Sequence, residues 1–234
     1  MRTRTKTLFV AGAAILALGA IAVIAGPTVY RDYLAPVPAE TPLLMADEGT
    51  LSGDGSQLDA TALTGSWSIA EGSEAGYRVN EVLNGTDVTV TGRTSEVEGT
   101  LVLDGLTLTD AEFIVDVASI STDSPQRDSY FRDSAVRVSE HPTATFSLTE
   151  PLTAAVAPTS GETVELQVVG ELTLAGATRQ VAFTAQARTD GLTAQLAGQI
   201  PITFSDFGVT APDLGFVSVE DSGFVEFALV AQKD

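Results

Sequence analysis

VELQVVGELTLAGATRQVAFTAQAR, residues 164–188, decides the fold class. Val164, Leu166, Val168, Leu172 and Leu174 fall on alternate positions and share one face. The alternation resumes after Ala175-Gly176, where Val181 and Phe183 oppose Thr184 and Gln186. A period of two belongs to a strand, whose successive side chains point to opposite faces. Gly176 offers the positive φ that a tight reversal needs. The stretch therefore predicts two antiparallel strands, over 163–174 and 178–188, joined by a short hairpin.

The same grammar extends in both directions. Short Val/Thr/Leu/Phe runs predict further strands over 66–69, 76–83, 87–93, 98–103, 111–116, 143–148, 192–202 and 216–231. Turn pairs stand at Asn84-Gly85, Asp104-Gly105 and Asp190-Gly191. In the last strand Val225, Phe227 and Leu229 oppose Glu226. Many short strands punctuated by Gly, Asp and Asn are the pattern of an antiparallel sandwich or barrel. One stretch departs from it. STDSPQRDSYFRDSAVRVSEH, residues 121–141, has Ser124 and Pro125 as N-cap and first helical residue, and predicts one or two short helices.

Upstream of Gly65 the composition changes. Residues 27–64 hold Pro27, Pro36, Pro38 and Pro42, then a polar Gly-containing run, and read as a flexible linker. Before them lies LFVAGAAILALGAIAVIAG, residues 8–26, with no charge across 19 residues. At 1.5 Å per residue that nearly matches a ~30 Å hydrocarbon core. Arg2, Arg4 and Lys6 precede it, which places residues 1–7 in the cytoplasm and the rest outside. A signal peptide would have a shorter apolar core. The small-x-small pattern at 20–22 lies inside the run, so an uncleaved single-pass anchor is favoured. The expected organisation is a cytoplasmic segment 1–7, a transmembrane helix 8–26, a linker 27–64 and one domain 65–234.

The 234 residues carry a net charge of −19, with 12 basic residues against 31 acidic. From Gly65 onward 25 acids face 8 bases. Such a surface repels phosphate backbones and argues against nucleic acid as a partner. With no Cys, disulfides, thiolate metal sites and thiol catalysis are excluded. His141 is the single His, and its place before Pro142 suits an extended strand start better than a triad. Asp206 with Asp213, or Glu220 with Asp221, make a weak carboxylate pair in a chain this acidic. Arg78 with Glu81, and Arg127 with Asp128, read as local ion pairs at the surface or rim. No catalytic set, metal or cofactor is expected.

Several ordered motifs resemble the YceI family of lipid-binding proteins. They begin with Gly65-x-Trp67-x-Ile69, Tyr77-Arg78-Val79-x-Glu81, Gly92-Arg93-Thr94 and Val97-x-Gly99-Thr100-Leu101. Ser119-Ile120-Ser121-Thr122-Asp123 follows, with Gln126-Arg127-Asp128 and Phe131-Arg132. His141-Pro142-x-Ala144-Thr145-Phe146 and Gly170-x-Leu172-Thr173-Leu174-x-Gly176-x-Thr178-Arg179-x-Val181 are the most specific. Pro201-Ile202-x-Phe204-x-Asp206-Phe207-Gly208-Val209 and the strand over 224–229 complete the series.

The resemblance implies an extended, lipocalin-like antiparallel β-barrel around an elongated apolar cavity that holds a polyisoprenoid, such as a quinone or an envelope lipid precursor. A barrel of about eight strands is wide enough for packed side chains or one small ligand. The lining expected from strand-centre positions is Tyr77, Val79, Leu101, Val115, Phe146, Leu172, Phe183, Phe204, Phe207 and Phe227, with Phe131 from the helical stretch. These residues suit a filled core equally well. A solid-cored scaffold or adhesion module without lipid is therefore the rival reading. An enzyme acting on isoprenoids is a weaker third. A homodimer is compatible with the sequence, though no residue points to one.

Overall fold

The computed structural model describes residues 37–44, 51, 53–83, 85–215 and 217–234. The expected helix over 8–26 lies outside them, and among the described residues no helix is long and apolar enough to cross a membrane.

The domain is all-β and antiparallel. Its strands are β1 (Gly65–Ile69), β2 (Glu74–Leu83), β3 (Thr86–Thr94), β4 (Val97–Asp104), β5 (Thr107–Asp116), β6 (Thr143–Leu148), β7 (Leu152–Thr153), β8 (Val164–Leu174), β9 (Ala177–Thr189), β10 (Thr193–Thr203) and β11 (Val217–Lys233). Eight of them close a ring in the order β1-β4-β5-β6-β8-β9-β10-β11, and β11 returns to β1 through pairs such as Trp67 with Lys233. β2 and β3 stand outside the ring as a hairpin, β2 pairing with the N-terminal part of β11. Closure satisfies the edges that an open sheet would leave bare.

The hairpin divides the molecule into two halves. Where β1 pairs with both β4 and β11 the barrel is closed. Beyond that ring, β2–β3 continues the wall on one side. On the other, residues 117–141 cross between β5 and β6. This crossing carries α2 (Pro125–Tyr130), capped as expected by Ser124, whose hydroxyl accepts from the Arg127 N–H at 3.4 Å. The helix continues into a wider π-type turn over 131–135. Arg93 and Ser121 exchange backbone hydrogen bonds of 3.0 and 3.1 Å, tying the free edge of β3 to the crossing. We call this the open half.

The hairpin between β8 and β9 turns through Ala175 (φ 49°) and Gly176 (φ 80°), as the alternation predicts. β5 begins earlier than expected, because a register shift at Thr109 breaks the alternation and brings Leu108 and Ala111 into one core cluster. The short β7, which pairs with the start of β5, has no periodicity to betray it.

The described residues upstream of Gly65 make contacts with the domain. α1 (Ala60–Leu63) is capped by Asp59, buries Leu63 against Trp67, and accepts the Trp67 indole N–H on the Leu63 carbonyl at 3.1 Å. Gln57 bridges to Thr159, and the Leu58 N–H donates to the Pro158 carbonyl at 3.0 Å. Farther upstream, the Ala39 N–H donates to Thr91 Oγ1 at 3.1 Å and the Leu44 N–H to Gln186 Oε1 at 2.9 Å. Residues 57–63 thus pack onto the start of the domain. A Pro-rich stretch cannot build its own core, but it can lie along a surface that supplies the hydrogen-bond partners.

Candidate binding cavity

The open half encloses a cavity of about 770 Å³. One wall is the inward face of the hairpin. Tyr77 pairs with Gly92, Val79 with Val90 and Glu81 with Val88, so these residues share a face. The wall continues through β11, whose Val217, Val219 and Val225 pair with Leu83, Glu81 and Tyr77 of β2, to Ile202 at the end of β10 and to Phe204 and Leu214 of the segment between β10 and β11. Val117, Ile120, Tyr130 and Phe131 of the crossing close the third side. Such a size and apolar lining suit a small-molecule or lipid chain.

Few polar groups meet inside. Glu81 is buried and pairs with Arg127 at 3.3 Å, while Arg127 also holds Asp123 at 2.6 Å. Asp128 turns away to accept from the N–H and hydroxyl of Thr122, at 2.9 and 2.7 Å, which braces the start of α2. The Tyr77 ring stacks on Phe131 with centroids 4.8 Å apart. Burial pushes the Tyr77 hydroxyl well above the ordinary phenol value of 10.0, with the nearby Arg127 charge opposing the shift, so the group stays neutral.

The closed half is filled. Its residual void is only about 90 Å³. Phe113, Phe146, Phe183 and Phe227 form a chain of ring contacts across it, with successive centroids 6.2, 5.6 and 5.9 Å apart. Leu172, Val168, Ala185, Ile200 and Ile202 pack around them. Below, Trp67, Leu101, Ala111 and Ala231 join Leu63 in a second cluster.

The expected lining residues therefore separate. Tyr77, Val79, Phe131 and Phe204 line the large cavity, and Val115 stands at its junction with the filled half. Leu101, Phe146, Leu172, Phe183 and Phe227 surround only the small void. Phe207 borders neither and is buried in the core beside Ile202. Alternation marks a side chain as inward-facing in either half, so it cannot assign the half. Val88 and Val90 were legible as inward partners in the run 87–93. The contributions of Ile120 and Leu214 come from loops that have no period.

In place of the two local ion pairs expected along the chain, Arg78, Glu81 and Arg127 pair over longer range. Arg78 and Glu81 have opposite parity on β2, so they point to opposite faces. Glu81 turns inward to Arg127. Arg78 turns outward and bonds Glu226 at 2.7 Å. Glu226 has no exposed surface, and Arg93 and Gln199 also bond its carboxylate. Strand parity puts Glu226 on the outer face, opposite Phe227, yet side chains from β2, β3 and β10 cover it completely.

His141 starts the segment leading to β6 and lies over the β8–β9 turn, where a Cβ on Gly176 would come within 2.4 Å of its ring. Asp206, Asp213, Glu220 and Asp221 are all exposed. Among the described residues no group of three or more His, Asp or Glu could hold a metal ion.

A closed eight-stranded antiparallel barrel with an internal apolar cavity has the lipocalin-like architecture. The family model of the YceI-like domain matches residues 67–231, and the chain belongs to that family. Among solved structures, a polyisoprenoid-binding domain from Saccharophagus degradans implicated in plant cell wall breakdown superposes with a TM-score of 0.58 at 18% identity, covering 72% of this chain and 98% of its own. BcnA from Burkholderia cenocepacia gives a TM-score of 0.53 at 22% identity, covering 67% of this chain and 96% of its own. No curated protein matches the chain.

Proposed function

We propose that this protein is a membrane-tethered, extracytoplasmic binding protein that holds a polyisoprenoid lipid in the open half of its barrel. The ligand class is a quinone or an envelope lipid precursor. The single observation that carries the reading is the cavity of about 770 Å³, lined mainly by apolar and aromatic side chains, beside a closed half that is packed. A scaffold gains nothing from leaving such a space. Removing an isoprenoid chain from water stabilises the complex by roughly 25 cal/mol per Å² of apolar area. The polyisoprenoid binding of the Saccharophagus degradans domain, which shares this fold, supports the same ligand class.

The tether rests on the uncharged run over 8–26 and the basic residues before it. Binding without turnover asks for no catalytic set, so the reading is that of a carrier or store rather than an enzyme.

The full chain should be purified from membranes in mild detergent, denatured, and its organic extract analysed by mass spectrometry. A polyisoprenoid in near-stoichiometric amount is the expected result, and an empty protein would favour the scaffold. Retention in the membrane pellet after alkaline washing, with the barrel open to protease added outside the cell, tests the anchor and its orientation.

A further inference from the structure

The chain enters the domain at the cavity. Val37, Pro38 and Ala39 are themselves lining residues, and the strap they begin is fastened to the outer face. Thr91 Oγ1 accepts the Ala39 N–H at 3.1 Å, Arg78 Nη2 donates to the Ala39 carbonyl at 2.5 Å, and Gln186 accepts the Leu44 N–H at 2.9 Å. Arg78 is itself held by the buried Glu226. The latch therefore belongs to a rigid part of the sheet. The strap over 37–44 is thereby fixed to the barrel wall.

This shortens the working tether. Between Gly26, the end of the apolar run, and Val37 the chain can reach at most about 40 Å when fully extended. That reach is about the length of one barrel strand, since the eleven residues of β10 span about 36 Å. The cavity's rim is also apolar where it meets water. Val37 is 91% exposed, Leu214 63% and Tyr130 38%, and all three line the cavity. Leu192, in the β9–β10 turn, lies at the other end of β10.

We infer that the cavity mouth is a membrane-contact surface, held against the lipid bilayer that contains the anchor by a strap latched at Ala39. This orientation rests on the anchored reading above. It gives an apolar ligand a path from bilayer to cavity that avoids bulk water.

The test uses the full chain in phosphatidylcholine vesicles carrying an energy-transfer acceptor on a fraction of the headgroups. Zwitterionic lipid avoids repulsion by the exposed Asp213, Glu220 and Asp221. The protein has no Cys, so Leu214→Cys and Leu192→Cys each give one unique donor site. Donor emission should be lost more strongly at position 214 than at 192. A flexible insert of about twenty Gly/Ser residues within 27–36 should erase the difference. The same insert at Asp47, downstream of the strap, should leave it intact.

Equal or reversed losses in protein that floats with the vesicles would overturn the orientation alone. So would a downstream insert that acts like the upstream one. A loss at position 214 that persists without lipid acceptor, between donor- and acceptor-labelled copies, would show a second copy covering the rim and equally overturn it. Protein that fails to float would overturn the anchor, and the orientation with it.

Discussion

Glu226 is the most consequential single charge in the molecule. It is fully buried between Arg78, Arg93 and Gln199, on the strand face that alternation assigns to the outside. Removing one partner of a buried ion cluster leaves the others uncompensated. Both arginines keep some contact with water, so Glu226→Ala should destabilise by about 3 kcal/mol, at the low end for such losses. The urea midpoint at constant m-value reads this directly. Tyr77 makes a second prediction. Its folded-state hydroxyl binds its proton more tightly than in the unfolded chain. Above pH 10 the unfolded state therefore releases a proton that the native state keeps, and stability falls as pH rises. Below pH 10 the contribution is fully present. Tyr77→Phe should flatten the decline in unfolding free energy measured from pH 9 to pH 11. Neither residue's role was legible in sequence. Arg78, Glu81, Arg127 and Asp128 look like neighbours paired along the chain, whereas strand parity sends Arg78 and Glu81 to opposite faces and pairs each with a distant partner.

At the level of elements, the strands were readable because one face of each is buried, and burial imposes a period of two. Where the period is interrupted the reading lapses, as at the register shift around Thr109 of β5 and at the two-residue β7. Close contacts between strands were hidden as well. Gly170 of β8 accommodates the Phe146 ring of β6, and a Cβ there would come within 2.4 Å of Phe146 Cζ and 2.5 Å of the Ser147 carbonyl oxygen. Gly170→Ala should cost about 1–3 kcal/mol through overpacking, measured as a lower denaturant midpoint. The helical crossing was read correctly from Ser124 and Pro125, because a cap is a local device. Ser124→Ala should remove about 0.5–1 kcal/mol from α2, the smaller end of such losses given its 3.4 Å bond. Hydrogen exchange over 125–131 should accelerate while the closed half stays protected.

The whole molecule combines a packed half and a hollow half within one sheet, and the two respond oppositely to added volume. Val79→Trp adds bulk to open space, so it should displace lipid and leave the thermal midpoint nearly unchanged. Leu172→Trp adds bulk to the filled half and should cost about 1–3 kcal/mol or more. Lipid content by native mass spectrometry, read beside thermal melting, separates the two effects. Strand positions, the hairpin at Ala175-Gly176, the cap at Ser124 and the antiparallel all-β class follow from sequence alone. Each depends on residues near one another in the chain, where periodicity and turn chemistry act. The burial of Glu226, the docking of residues 37–44 and the line between hollow and filled barrel came only with the tertiary structure. Those depend on which apolar faces meet across the barrel. An inward-facing Val reads the same in sequence whether its neighbour across the barrel is a Phe ring or empty space.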